Sequence, residues 1–163
     1  MALRLGTKIQ NDMKEVYYIY NNEAIASSIF LAYLQSVKSI NMAQSCLILP
    51  FLLDDRTVTY FINIRDDDNS LEYIVNNRPK LFASFNKRYL SLLPITINSI
   101  LLLNKNKQIG ISSNNIFTKV DFMCDEIDMG NRFERIKKVI PFLASVLNKY
   151  STSQLYKILK VQL

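Results

Sequence analysis

Residues 21–56 read NNEAIASSIFLAYLQSVKSINMAQSCLILPFLLDDR, and this stretch decides the fold. Asn22 is a good helix N-cap, since its side-chain oxygen can accept from an orphan N–H of the first turn, and Glu23 suits the positive end of the helix dipole. Ile25, Ile29, Phe30, Tyr33, Leu34 and Val37 then recur at three- and four-residue spacing, which predicts a helix with one buried face. The run from Cys46 to Leu53 has no polar face at all, so it reads as a central core helix, interrupted by Pro50 and closed by Asp54-Asp55-Arg56. Eight uninterrupted apolar residues fall well short of the roughly 20 needed to cross a bilayer, which argues against a membrane span.

Outward from this core the chain divides at Asp66-Asp67-Asp68-Asn69-Ser70, a polar break in which Ser70 is placed to cap the next helix. Leu71, Tyr73, Ile74 and Val75, then Leu81, Phe82, Phe85, Tyr89, Leu92 and Leu93, are spaced for helical faces. Pro94 suits the first turn of a further helix through Leu103. Two β-prone runs, from Lys107 and from Ile116, flank Ser113-Asn114-Asn115 and predict a hairpin, although the Asn-Gly signal is missing. Two more helices are expected, Asn131–Lys149 and Ser151–Leu159.

The expected fold is therefore mainly α: a helical domain with a winged-helix-like unit, from about Ser70 to Lys149, containing one β-hairpin. The 163 residues, 49% of them hydrophobic, suit a single domain over 1–163, or two lobes, 1–65 and 70–163, sharing a core. With no signal-type opening and only Cys46 and Cys124, the chain reads as cytoplasmic and lacks a disulfide framework. Cys46, inside an apolar run, reads as a small core hydrophobe.

Four features together resemble one family. They are the Asn-Asn-x-Ala start of the first helix, the Leu49-Pro50-Phe51-Leu52-Leu53 core, Asp54-Asp55-Arg56-Thr57 after it, and the ending IPFLASVLNKYSTSQLYKILKVQL. The Asn77-x-Pro79 step before a long helix, and the hairpin near residue 110, fall in the family's order. The family is the middle component of ABC three-component systems, the group that includes the Lamassu antiphage defence systems of bacteria, and the resemblance runs from about Val16 to the C-terminus. It implies a subunit lying between an ABC ATPase like those of structural maintenance of chromosomes (SMC-like) and a variable effector, often a nuclease. One departure is visible: the family more often carries a His-x-Pro-Thr-Arg turn where this chain has Asp54-Asp55-Arg56-Thr57.

Charge adds a direction. Beyond residue 130 stand seven basic residues against the single acid Glu134, whereas residues 1–130 hold thirteen of each, so the whole net charge of +6 lies in the last fifth. The apolar ending at Leu155, Ile158, Leu159, Val161 and Leu163 needs cover, either from the chain's own core or from a partner. Arg132, Arg135, Lys137, Lys138, Lys149, Leu155, Lys157, Leu159, Lys160 and Leu163 are thus the candidate contacts to a partner, or to DNA non-specifically through the complex.

Catalytic constellations are poorly supported. There is no His, so a Ser-His-Asp or Cys-His arrangement is excluded and the commonest metal ligand is missing. Glycines only at 6, 110 and 130 exclude both the dinucleotide fingerprint and the GxxxxGK[ST] loop. Asp66-Asp67-Asp68 has Leu71 where a calcium loop needs Gly. Asp121, Asp125, Glu126 and Asp128 could hold an ion but lack a supporting nuclease signature, so no catalytic, cofactor or metal residue is expected. The segment PITINSILLL, at the recognition-helix position, offers at most Asn98 and Ser99 to a base edge, and Lys105, Lys107 and Lys119 to phosphates. The expected function is a non-enzymatic adaptor between ATPase and effector, without cofactor or membrane contact. The alternatives are a stand-alone winged-helix DNA-binding regulator and a small metal-dependent nuclease.

Overall fold

Asn22 caps the first helix as its position predicts: its Oδ1 accepts from the backbone N–H groups of Ala24 at 3.0 Å and Ile25 at 3.2 Å. The structure, a computed structural model, describes residues 22–64, 70–119 and 128–162. In chain order it comprises α1 (Glu23–Val37), β1 (Ser39–Asn41), α2 (Met42–Ser45), α3 (Ile48–Leu52), α4 (Asp55–Asn63), α5 (Leu71–Asn77), α6 (Pro79–Phe82), α7 (Phe85–Lys105), β2 (Ile109–Ser112), β3 (Asn115–Thr118), α8 (Asn131–Leu147) and α9 (Thr152–Ile158). The fold is mainly α with one small antiparallel sheet, in the order β1-β3-β2. No described helix is long and apolar enough to cross a membrane.

Burial explains why α1 lies at the centre. From Ala26 to Leu34 every residue but Ser28 is buried, and the helix packs against both α7 and α8. A helix covered on nearly all sides needs apolar residues on nearly all sides, and FLAYL at 30–34 supplies them. The apolar run after it divides differently from the expectation. The break falls at Cys46–Leu47, between α2 and α3, and Pro50 is the third residue of α3. N–H groups of a first turn have no intrahelical acceptor, so proline there forfeits no hydrogen bond. Residues 47–53 are all buried, at 7% exposure or less for the apolar ones besides Pro50.

Pro94 also departs from the expectation. It opens no new helix but sits inside α7, which runs unbroken for 21 residues. The bond it cannot make belongs to the Leu90 carbonyl, on the exposed side of the helix, where water can serve in its place. Pro141 is accommodated likewise on the exposed side of α8. The helical stretch expected from Leu71 to Leu93 is instead three pieces, α5, α6 and the start of α7, with Pro79 at the first position of α6.

The hairpin forms without Asn-Gly because Ser113 and Asn114 both take positive φ, 49° and 64°, as a two-residue primed turn requires. Gly110 stands opposite Phe117 across β2 and β3, and a Cβ there would lie 2.3 Å from the Phe117 ring, so any side chain at this position requires the ring to move. β1 was not foreseen. It pairs Ile40 with Ile116 of β3, and Met42 N–H donates to the Asn114 carbonyl at 2.8 Å, tying the turn to the start of α2. The sheet thus takes its outer strand from residues 39–41, ahead of the 70–149 stretch, and buried residues from both sides of the 65–69 break belong to one apolar cluster.

Candidate docking surface

The acid-rich turn after α3 is a structural corner with a charged network. Asp54 caps α4, accepting from the Thr57 backbone N–H at 3.1 Å and the Thr57 hydroxyl at 2.7 Å. Burial works against ionisation of its carboxyl, but the Thr57 bonds and the positive fields of Arg88 and Arg56 outweigh it and hold the carboxyl below its ordinary range. Arg88, on α7, clamps the neighbouring backbone: its guanidinium donates to the carbonyls of Pro50 at 3.1 Å and Leu81 at 3.1 and 3.2 Å, and to Ser84 Oγ at 2.9 Å. One planar cation thereby satisfies acceptors on three separate segments.

The candidate basic residues fall into two groups. Arg132 donates to Asp55 Oδ1 at 3.0 Å and to the Leu53 carbonyl at 3.2 Å, and Arg135 to Thr59 Oγ1 at 2.6 Å, so both bind α8 to the α3–α4 corner. Lys137 pairs with Glu134 at 2.9 Å and lies over the Phe133 ring. Lys138, Lys149, Lys157 and Lys160 are exposed. Lys157 and Lys160 together border two shallow clefts of about 590 and 700 Å³, the first completed by Glu72, Asn76, Phe82 and Asn86.

The apolar ending divides as well. Leu155 is fully buried and Leu159 only 3% exposed, so both lie in the chain's own core. Ser151 and Gln154 form a reciprocal capping box that starts α9. Tyr156 fastens α9 inward, its hydroxyl donating to the Ala43 carbonyl at 2.8 Å and lying 3.2 Å from the Tyr89 hydroxyl; burial pushes its phenol well above the ordinary range. Gln162 N–H donates to Asn86 Oδ1 at 2.9 Å. Leu163 lies outside the described residues.

Of the other sequence candidates, Asn98 and Ser99 face the start of α1. Asn98 Nδ2 donates to Glu23 Oε1 at 3.2 Å and Ser99 Oγ to the Glu23 carbonyl at 3.5 Å, which engages both groups within the chain. Cys46 is half-buried, its Sγ donating to the Met42 carbonyl at 3.5 Å, and burial raises its thiol pKa, which leaves little thiolate for chemistry. Among the described residues no three His, Cys, Asp or Glu side chains gather as metal ligands. Asp66 to Asp68, Asp121, Cys124, Asp125 and Glu126 lie outside the described residues, while Asp128 Oδ1 accepts from Gly130 N–H at 2.9 Å. Sequence reasoning missed one feature: Leu90, Ile97 and Leu101 of α7 are large, apolar and exposed. Their four- and three-residue spacing about Pro94 was the available signal.

The chain is mainly helical with a small sheet, and Arg88, Arg132 and Arg135 are engaged within it. The comparison with known families goes further: the profile described as ABC-three component (ABC-3C) system Middle Component 3 matches residues 10–163. The chain belongs to that family and is a component of an ABC-three component system. Comparison with curated proteins and with solved structures gave no match.

Proposed function

We propose that the chain is a non-enzymatic adaptor bridging an SMC-like ABC ATPase and an effector, often a nuclease, in a bacterial antiphage defence complex of the Lamassu type. The observation that carries the reading is the division of labour at the basic C-terminal end. Arg132 and Arg135 lock α8 to the α3–α4 corner, Leu155 and Leu159 close the core, and Lys138, Lys157 and Lys160 face outward on this rigid base. Lysines at a rim speed encounter with an acidic protein surface or with DNA held by the ATPase, without reading sequence. The order helix, β1, helices, α7, hairpin, with β1 added to the outer side of β3, supports a winged-helix-like unit beginning at α1, used for protein docking.

The test is reconstitution with an ABC ATPase and an effector from the same three-component system. The wild-type chain should join the two, and Lys157→Glu with Lys160→Glu should weaken the assembly in a salt-dependent way while melting temperature holds. Failure of the three proteins to assemble in any combination would overturn the adaptor reading. A chain that binds duplex DNA tightly by itself, with affinity falling steeply with salt, would favour the stand-alone regulator instead.

A further inference from the structure

The geometry points to the outward face of α7 as a docking strip for an acidic amphipathic helix of another protein, an inference that deepens the adaptor reading and rests on it. Leu90 is 48% exposed, Ile97 48% and Leu101 58%, and with the exposed Pro94 they stand at successive intervals of four, three and four residues. On a helix that spacing forms one continuous seam, about 16 Å long at 1.5 Å per residue. The opposite side of α7, with Phe85, Tyr89, Leu92, Ile95, Ser99, Ile100 and Leu103, is buried in the core. Most surface helices are polar opposite their buried side, whereas α7 is apolar on two faces, and among the described residues only one of them is covered. Single exposed apolar residues are ordinary, whereas a seam at the anchor spacing of helix recognition is not.

Charge selects the occupant. Lys87 and Lys105 stand on the outward face near the two ends of the seam, α7 itself carries no Asp or Glu, and the Glu23 carboxylate of α1 beside it is engaged by Asn98. A helix with apolar residues at the same spacing and carboxylates beside them fits both features. A second copy fits poorly, because pairing α7 with α7 in either direction sets lysines against lysines. Nucleic acid would leave the Leu and Ile side chains without apolar cover. The strip is also held in place from beneath: Arg88 joins α7 to Pro50 and Leu81, and Asn98 joins it to Glu23. Pro94 leaves the Leu90 carbonyl without its helical donor on the outward face, an acceptor a partner side chain can use.

Two synthetic helical peptides with Leu at alternating three- and four-residue spacing, one flanked by Glu and one by Lys, are titrated against the full-length chain by fluorescence anisotropy. The Glu peptide should bind, the Lys peptide at least about tenfold more weakly, and Leu101→Glu or Ile97→Ser should each reduce Glu-peptide affinity about tenfold or more. Both variants should melt like the wild type, and Leu101→Ser serves if Leu101→Glu does not. Absence of binding, equal binding of the two peptides, or variants without effect would overturn the proposal. So would a dimer in sedimentation that Leu101→Glu dissociates, which assigns the strip to a second copy, or binding seen only after removal of residues 1–21, which assigns it to the chain's own leading segment. The variants are also carried into the reconstituted assembly. Peptide binding with no assembly refutes the adaptor reading alone, and assembly indifferent to Leu101→Glu refutes the strip alone.

Discussion

Phe51→Ala is the sharpest test of the core. The side chain is fully buried, and its ring centroid lies 4.8 Å from that of Phe85 and 6.1 Å from those of both Phe61 and Phe82. These neighbours belong to α4, α6 and α7, so the ring is the shared packing partner of three elements around α3. Truncating a buried phenylalanine costs about 3 to 5 kcal/mol, because both the transfer energy and the cavity count. The upper end applies here, since rings anchored on separate helices cannot all relax into the gap. With a urea m-value of about 2 kcal/mol per molar for a small protein, a 4 kcal/mol loss lowers the midpoint by about 2 M. Urea titration by circular dichroism reads this directly, with Leu49→Ala, fully buried on the same helix, expected to lose about 2 to 5 kcal/mol. Leu101→Ala, on the exposed seam, is the control and should shift stability by no more than about 0.5 kcal/mol. Equal midpoints for Phe51→Ala and wild type would mean that the 47–53 run is not core, and the packing described above would be refuted.

Arg88→Met keeps much of the side chain's length but strands the carbonyls of Pro50 and Leu81, and at roughly 1 to 3 kcal/mol per unsatisfied buried group it should lower stability by about 2 to 5 kcal/mol in the same titration. Asp54 titrates below its unfolded value, so its contribution is present at neutral pH and is lost as pH falls through the folded-state pKa; Asp54→Asn should lower stability at pH 7 by about 1 kcal/mol and flatten its decline below pH 4. Tyr156 has a raised pKa, so its contribution is complete below the ordinary tyrosine range and is lost as pH rises beyond it; Tyr156→Phe should shallow the alkaline limb of stability above about pH 10. Gly110→Ala should displace the Phe117 ring and cost about 1 to 3 kcal/mol, visible as a lowered melting temperature.

Composition and periodicity made the helical class legible, together with both C-terminal helices and the caps at Asn22 and Ser70. These are local signals, set by which side chain can reach an orphan N–H and which face repeats every 3.6 residues. The failures share a different cause. Pro50 and Pro94 were read as breaks because proline is a local signal too, yet its cost depends on where the missing bond would fall. For Pro50 that is a first turn, and for Pro94 it is a carbonyl on the solvent side; neither can be known before the helix has been oriented in the fold. β1 escaped because three residues carry no period, and only its partner β3, some 75 residues away in sequence, defines it.

The same dependence on orientation governs the candidate surface. Seven cations in the last fifth of the chain look alike in sequence, but Asp55 and Thr59 of α4 engage Arg132 and Arg135, and Glu134 engages Lys137. Their charge is largely spent on positioning α8, which narrows the outward field to Lys138, Lys149, Lys157 and Lys160. The converse holds on α7, where Leu90, Ile97 and Leu101 pass for core in sequence until Phe85, Leu92 and Leu103 are seen to occupy the core side. A residue's type therefore says what it can do, and the face it occupies decides whether that capacity is used within the chain or offered outside it. On that criterion an Arg132→Ala substitution should act mainly through stability and a Lys160→Ala substitution mainly through assembly. Thermal melts and reconstitution run side by side separate the two: a Lys160→Ala chain that melts early yet assembles at full yield would reverse the assignment.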